Sequence, residues 1–234
     1  TMLSRVVAIA KAAAVGATQI AVATDDDRII AHCQELAVTA IRTPQACATG
    51  TDRVQAAVAQ LTAPPDFIVN LQGDAPLTPP DFIAALIKRF AESPADVLTP
   101  VVQLSWEALD ALRVAKQQTP HSGTIAVFDA QSGKAHWFSK NIIPALRKEA
   151  ALRGEGAFAP VWRHIGLYGY SRAMLARYVT LSPGTYEQLE GLEQLRVLEH
   201  GHTMLCVPVD YKGRAAMSGV DSPEDIARAE TLIA

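Results

Sequence analysis

The sequence predicts an α/β fold in which a mostly parallel sheet carries a small antiparallel excursion in its middle. Strand-like and helix-like segments alternate through the first half of the chain, which is typical of βαβ units and a parallel sheet. From about residue 105 to about residue 170, short strand-like segments separated by turns indicate antiparallel pairing. The chain has 234 residues, 49% of them hydrophobic, so we expect one domain over residues 1–234 with a substantial core.

The first half opens with an apolar segment that could be a targeting signal or an amphipathic helix. Lys11 interrupts the apolar run and favours the amphipathic helix. Three aspartates at 25–27 offer N-caps for the next helix, and Pro79 and Pro80 lie where the last helix of this half begins. The predicted order is strand 19–24, helix 25–32, strand 38–41, helix 51–61, strand 67–71 and helix 82–91.

The second half alternates less regularly, and residues 129–133 have the composition of a hairpin connection. The predicted strands are 97–104, 124–128, 134–138, 165–170 and 204–209, and the predicted helices are 186–200 and 223–233. In helix 186–200, Gly191 costs about 1 kcal/mol relative to alanine, so we expect another group to pack closely against it. The leucines of this helix form one stripe that we assign to the core: Leu189, Leu192, Leu195 and Leu198.

Composition and charge argue against several classes of function. The net charge of −3 and the pI near 6.1 are not those of a typical nucleic-acid binder. No stretch approaches the roughly 20 apolar residues that a membrane span requires. The cysteines Cys33, Cys47 and Cys206 form no CxxC pair, which favours reduced thiols and a cytoplasmic location.

Two aspartates, Asp74 and Asp221, stand where an apolar strand gives way to a turn. A parallel α/β sheet brings such strand ends to one edge, where ligands bind. Two convergent carboxylates suit a hard cation such as Mg²⁺, which indicates metal-assisted chemistry on a nucleotide. Gln72 and Gly73 precede Asp74, and the glycine permits close approach of the backbone. Each aspartate by itself could instead be an ordinary turn or helix cap.

A second candidate segment begins the helix at 51–61. Thr49, Gly50 and Thr51 are small or carry hydroxyls, and the free N–H groups at such a helix start bind anions. Arg53 could add a bidentate contact to the same anion. A plain N-cap with a solvated arginine is the alternative interpretation.

A third candidate segment, residues 163–170, sets polar and aromatic side chains among glycines. Glycine inside a strand often marks a bulge or the close approach of a ligand. His164 taken alone would more often be a structural histidine with its hydrogen bonds satisfied. The glutamates of helix 186–200 could likewise form only a solvated face.

Taken together, these segments resemble a known family. They occur in one order along nearly the whole chain, at residues 22–25, 49–53, 69–74, 138–140, 143–144, 164–170, 192–196 and 219–225. The set is similar to that of the 3-deoxy-manno-octulosonate cytidylyltransferase family, also called CMP-Kdo synthetases. Any one segment is weak, whereas the ordered set is highly specific.

The resemblance implies a Rossmann-like nucleotidyltransferase sheet and a transferase that moves CMP from CTP to the sugar acid Kdo. Pyrophosphate would be released, and the product would serve lipopolysaccharide biosynthesis. Asp74 and Asp221 match the family's catalytic Mg²⁺ ligands. The other matches to the substrate site are Thr49, Gly50, Thr51, Arg53, Gln72 and Gly73, followed on the sugar side by Arg163, His164, Tyr168, Glu193 and Gln194. Arg163 could pair with the sugar carboxylate, and a homodimer through the antiparallel segment is implied.

Three departures from the family pattern bear on activity. The family's N-terminal strand and its glycine loop with arginine and lysine would lie before Met2 and are not in the printed sequence. Ala75 replaces a usual glutamate, and Lys140 replaces a common arginine and so loses bidentate geometry. The alternatives are a cytidylyltransferase for a related acid sugar, such as a sialic acid or an amino-substituted Kdo, and a catalytically silent nucleotide- or sugar-binding paralogue.

Overall fold

The computed structural model describes residues 1–14, 19–214, 219–220 and 222–233 of the chain. The chain divides into two compact units, which are described separately. Unit 1 consists of Thr1–Pro94, Leu167–Thr180 and Tyr211–Ala234, and unit 2 consists of Ala95–Gly166 and Leu181–Asp210. The expectation of one domain over residues 1–234 stays a prediction.

Helices and strands are numbered along the chain. Unit 1 contains α1 (Met2–Ala13), β1 (Ala21–Thr24), α2 (Asp27–Glu35), β2 (Thr39–Arg42), α3 (Gly50–Val58), β3 (Phe67–Asn70), α4 (Pro80–Glu92), β8 (Tyr168–Ser171), α7 (Arg172–Tyr178) and α10 (Pro223–Ile233). Unit 2 contains β4 (Val97–Ser105), α5 (Trp106–Gln118), β5 (Ile125–Phe128), β6 (Ala135–Ser139), α6 (Glu149–Glu155), β7 (Phe158–His164), α8 (Thr185–Glu190), α9 (Gln194–Glu199) and β9 (Met204–Pro208). Among the described residues, no helix has the length and apolar character needed to cross a membrane.

Unit 1 contains two pairs of strands. β1 and β2 are parallel and α2 connects them, so the βαβ unit predicted at this place is confirmed. Asp26 is the N-cap of α2, and its carboxylate accepts a hydrogen bond from the Arg28 N–H at 2.7 Å. β3 and β8 are antiparallel, with Asn70 at the end of β3 directly opposite Tyr168.

Unit 2 is built around β4. This strand pairs in parallel with β9 and antiparallel with β7, and β5 pairs antiparallel with both β7 and β6. Val97, Leu98 and Val101 of β4 are fully buried. Residues 129–133 connect β5 to β6 as predicted, and the Asp129 N–H donates to the Lys134 carbonyl at 2.9 Å.

The prediction of a mostly parallel, Rossmann-like sheet is wrong. In the part of the chain that the structure describes, β1–β2 and β4–β9 pair in parallel. The pairs β3–β8, β4–β7, β5–β6 and β5–β7 are antiparallel, so antiparallel pairing is not confined to a middle excursion. Alternation of strand and helix patterns is a local property of the sequence. It cannot indicate that β3 pairs with β8, a strand that lies far along the chain.

Helix α5 lies where no helix is predicted from the sequence. The Ser105 hydroxyl accepts a hydrogen bond from the Ala108 N–H at 3.1 Å and caps the start of this helix. Trp106 and Leu109 bury one face of α5 in a cluster with side chains of β5 and β7, among them Ile125. Few apolar residues carry this face, so the helical period is weak in the sequence.

The helix predicted at 186–200 is interrupted and forms α8 and α9. Gly191 ends α8 with φ of 63°, in the left-handed region that glycine enters without steric cost. A Cβ at Gly191 would have no neighbour within 4 Å, so the expected close packing partner is absent. Because the stripe is broken, Leu189 is 76% exposed, whereas Leu192 and Leu195 are buried.

Gly169 of β8 is closely approached by a protein side chain, the ring of Phe67. A Cβ built at this position would clash with the ring of Phe67, which stacks on Phe90 with centroids 4.3 Å apart. We expect Gly169→Ala to lower the free energy of unfolding by about 1–3 kcal/mol, because the trapped ring cannot move away freely. Urea denaturation of the purified variant would measure this loss.

The variant Gly166→Ala is a matched control, since a Cβ there would have no neighbour within 4 Å. Combining Gly169→Ala with Phe67→Leu should cost less than the sum of the two single losses, because the second change removes the clashing ring. Equal stability of Gly169→Ala and Gly166→Ala would contradict the steric explanation.

Candidate active site

The loop that follows β3 carries Asp74 in unit 1. The Ala75 N–H donates to the Gln72 carbonyl at 3.2 Å and closes a turn around Gly73. The Val220 N–H donates to the main-chain carbonyl of Asp74 at 2.9 Å. Val220, the residue before Asp221, therefore lies beside Asp74. Asp221 itself is outside the described residues.

Neighbouring contacts hold the loop after β3 and the start of α10. The Arg5 guanidinium of α1 donates from Nε to the Pro76 carbonyl at 2.8 Å, just after the turn. Ser222 caps α10 as predicted, because the Asp225 N–H donates to its hydroxyl at 3.2 Å. Sequence reasoning missed Arg5, since nothing in an amphipathic helix indicates which polar side chain reaches back to a distant loop.

The start of α3 is a capping box. The Thr49 N–H donates to the Asp52 carboxylate at 3.0 Å, and the Asp52 N–H donates to the Thr49 hydroxyl at 3.2 Å. Gly50 and Thr51 follow in the first turn, where helix geometry provides no intrahelical acceptor for their N–H groups. The first turn can therefore still bind an anion, although the Asp52 carboxylate adds a negative charge there.

Arg53 is not a solvated arginine, so that part of the alternative interpretation is wrong. Its guanidinium lies 2.7 Å from the Asp25 carboxylate at the end of β1 and donates to the Thr43 hydroxyl at 2.7 Å. These contacts tie α3 to β1 and hold the first turn of α3 in place. A contact of Arg53 with substrate stays a prediction.

His164 ends β7 in unit 2 and is buried. The Thr99 hydroxyl donates to the Ile165 carbonyl at 3.2 Å, so its oxygen accepts from His164 Nε2 at 2.9 Å. Burial first, and the positive charge of Lys140 second, lowers the pKa of His164 to about 3. The imidazole is therefore neutral at physiological pH, with its proton on Nε2. Arg163, the preceding residue, is half-buried.

The turn between α8 and α9 carries Glu193, which is exposed, and Gln194, which is buried. A buried ion pair braces the two helices around this turn. Arg196 donates from Nε and Nη2 to the two carboxylate oxygens of Glu187 at 2.8 and 2.5 Å. Glu199 accepts hydrogen bonds from the first backbone N–H groups of α8, including that of Glu187 at 2.8 Å.

A cavity of about 290 Å³ lies beside α8 in unit 2, lined by His121, Lys140, Asn141, Tyr186, Leu189 and Glu190. Glu190 accepts from the Ser139 hydroxyl at 2.7 Å and from the Lys140 N–H at 2.8 Å. The main-chain carbonyl of Lys140 accepts a hydrogen bond from Lys116 Nζ. Burial first, and then the charges of Lys140 and Arg163, lowers the pKa of Lys116. Sequence reasoning missed Glu190 and Lys116, because their contacts with residues 139–140 join segments that are distant in the chain.

The comparisons with known proteins extend over the whole chain. A family model described as cytidylyltransferase matches residues 1–205. The 3-deoxy-manno-octulosonate cytidylyltransferase of Maricaulis maris is 42% identical over 234 residues, which is 100% of this chain and 87% of the relative. The chain belongs to the 3-deoxy-manno-octulosonate cytidylyltransferase family.

Further relatives and a solved structure agree with this assignment to the cytidylyltransferase family. The 3-deoxy-manno-octulosonate cytidylyltransferase of Anaeromyxobacter sp. (strain Fw109-5) is 38% identical over 94% of this chain and 81% of its own length. A solved structure of CMP:2-keto-3-deoxy-manno-octonic acid synthetase complexed with CTP matches with a TM-score of 0.81 at 28% identity, over 99% of this chain and 87% of that chain. Membership in the family makes the protein a nucleotidyltransferase.

The predicted site residues of this cytidylyltransferase fall into two groups, one in each unit. Unit 1 holds Thr49, Gly50, Thr51, Arg53, Gln72, Gly73, Asp74 and Tyr168, and unit 2 holds Arg163, His164, Glu193 and Gln194. The Mg²⁺ prediction stays a prediction. Among the described residues, no group of three or more histidine, cysteine, aspartate or glutamate side chains could hold a metal ion.

The neutral state of His164 gives this cytidylyltransferase a pH-dependent stability. The unfolded chain binds a proton on this histidine near pH 6.5, whereas the folded protein does so only near pH 3. The contribution of neutral His164 is therefore fully present above about pH 6.5 and is lost as the pH falls toward 3. We expect His164→Gln to reduce the slope of the unfolding free energy against pH between about pH 5 and 6.5.

Denaturant unfolding at several pH values would measure that slope. His136→Gln is a matched control, because the ring of His136 is exposed, and it should keep the wild-type slope. A His164→Gln protein with an unchanged slope would show that the buried imidazole does not titrate as described.

Proposed function

We propose that the protein transfers CMP from CTP to the anomeric hydroxyl of Kdo and releases pyrophosphate. The observation that carries this proposal is the hydrogen bond from the Val220 N–H to the Asp74 carbonyl at 2.9 Å. It joins the two motif segments, 72–74 and 219–225, that the reaction needs side by side. Family membership over the whole chain supports the same substrates.

The residues at Asp74 fit a divalent cation. Carboxylate oxygens are the ligands that Mg²⁺ prefers, and Asp74 and Asp221 would hold it together with substrate phosphates. When bound, Mg²⁺ would neutralise the charge that develops on the phosphates and align the attacking and leaving oxygens. The hydrogen bond from the Val220 N–H is accepted by the main-chain carbonyl of Asp74.

The chain's own residues would position the two substrates for in-line attack of the anomeric oxygen on the α-phosphorus. The first turn of α3 and residues 72–73 would bind CTP, and Tyr168, Glu193 and Gln194 would contact the sugar acid. Arg163 would pair with the sugar carboxylate. Neutral His164 would not take up the proton of the attacking hydroxyl, because its pKa of about 3 makes it a poor base.

The proposal extends to the biological setting. The product would serve lipopolysaccharide biosynthesis in the cytoplasm, and the enzyme would act as a homodimer through the region between about residues 105 and 170. Val114 and Phe158 in this region are 64% and 60% exposed although both are apolar. A homodimer interface over this region would cover these exposed apolar side chains.

A competition assay tests the choice of sugar. The purified protein would be incubated with CTP, Mg²⁺ and equal concentrations of Kdo, an amino-substituted Kdo and a sialic acid, and the CMP-sugars would be identified by mass spectrometry. We expect CMP-Kdo to dominate. Dominance of another CMP-sugar would reassign the substrate, and CTP binding without any CMP-sugar would identify a silent paralogue.

A further inference from the structure

Asn70 carries a buried amide whose role the described contacts do not explain. The residue is 4% exposed, and its Nδ2 has no hydrogen-bond acceptor among the described residues. Buried side-chain donors in native proteins are nearly always paired, because leaving one without an acceptor costs its full desolvation penalty. A buried donor with no acceptor among the described residues therefore indicates that a bound ligand supplies the acceptor.

Asn70 is also an unfavourable choice for its position in the strand. Asparagine is depleted in strands, and an apolar side chain would pack there without any polar atom to satisfy. Ile68, two residues earlier and on the same face of β3, is buried in the ordinary way. A residue that breaks the local rule at a strand end beside a candidate site is expected to serve function rather than stability.

The position of Asn70 indicates which ligand it meets. It is the last residue of β3, immediately before the loop that carries Gln72 and Asp74. Across the antiparallel pair it lies directly opposite Tyr168, so the two side chains share one face of the sheet. Under the proposed function, Tyr168 contacts the sugar acid, whose hydroxyl and carboxylate oxygens are acceptors for a neutral N–H donor.

We propose that Asn70 is a substrate-binding residue whose Nδ2 donates a hydrogen bond to an oxygen of the sugar acid. This inference rests on the proposed function. It adds a sugar contact in unit 1, the unit whose residues would bind CTP. Among the described residues Nδ2 of Asn70 has no acceptor, and the bound sugar would supply one. Asn70 would thereby help to select the sugar by its oxygen atoms.

The test uses Asn70→Leu in the full chain, with KM measured separately for Kdo and for CTP. We expect KM for Kdo to rise about tenfold or more, since a donor to the substrate is lost, while KM for CTP changes less than about threefold. The urea midpoint of the ligand-free variant should equal or exceed that of the wild type, because an unpaired buried donor has been removed. Asn70→Thr, which suits a strand, serves as a second variant if the leucine protein folds poorly.

Ile68→Val is the control for packing on the same face, and it should leave both KM values unchanged. A lowered urea midpoint with unchanged KM for Kdo would show a structural role for Asn70 and overturn the inference. A rise in KM for CTP alone would overturn the assignment to the sugar. Absence of CMP-Kdo from the wild type would instead overturn the proposed function on which the inference rests.

Discussion

Replacement of Asp74 by asparagine is expected to lower kcat by about 10²–10⁴-fold, because a ligand of the catalytic cation is lost. The change keeps the size of the side chain. It also keeps the main-chain carbonyl that accepts the hydrogen bond from the Val220 N–H. The fold around the loop should therefore survive, and the free energy of unfolding should stay within about 1 kcal/mol of the wild type.

Steady-state kinetics over a range of Mg²⁺ concentrations would measure this effect. Asp66→Asn is a matched control in the same unit, because the Asp66 side chain is 85% exposed and only pairs with Arg172 at the surface. The control should keep the wild-type kcat and Mg²⁺ dependence. If Asp74→Asn turned over CTP at the wild-type rate, the assignment of Asp74 as a metal ligand would be wrong.

Replacement of Glu187 by glutamine is expected to produce the largest loss of stability. The side chains of Glu187 and Arg196 are only 8% and 12% exposed, so the substitution removes the negative charge that faces a buried guanidinium. Removal of one member of such a pair costs about 3–5 kcal/mol, which corresponds to a fall in Tm of about 10 °C or more for a chain of this size. The pair also braces the turn that carries Glu193, so KM for the sugar should rise.

Tryptophan fluorescence during thermal unfolding would measure this loss, because Trp106, Trp137 and Trp162 all belong to unit 2. Trp137 lies edge-on against Tyr186 of α8, with ring centroids 5.1 Å apart. Glu155→Gln, at an exposed position of α6 in the same unit, is the matched control and should change Tm little. An unaltered Tm for Glu187→Gln would show that the buried pair does not hold α8 and α9 together.

Features encoded within a few residues could be predicted from the sequence. The hairpin at 129–133, the capping residue Ser222 and the helix start at Thr49 depend on turn and cap preferences that neighbouring residues determine. The interruption at Gly191 was also encoded locally. Because the leucines keep a helical spacing on both sides of Gly191, the pattern predicts one long helix, whereas the glycine ends α8.

Features that depend on distant partners could not be predicted in this way. The sequence of β3 does not specify that β8 pairs with it or in which direction, so the parallel sheet was a wrong extrapolation from local alternation. The ion pair of Glu187 with Arg196 is likewise visible only after folding, as is the buried Nδ2 of Asn70, which has no acceptor in the described part of the chain.

The candidate site residues came from two sources, the residue chemistry of the individual segments and the ordered resemblance to one family. Geometry adds the hydrogen bond from Val220 to Asp74 and the neutral state of His164. It also shows that Arg53 is engaged by Asp25. None of these three features follows from a motif, because each depends on groups that the motif does not contain.

The most direct test of the account is pyrophosphate release by the purified protein from CTP, Kdo and Mg²⁺. Each of the three components would be omitted in turn, and the intact mass of the protein would be recorded on the same sample. We expect pyrophosphate release that requires all three components and yields one CMP-Kdo per pyrophosphate. A folded protein that releases no pyrophosphate with all three present would contradict it.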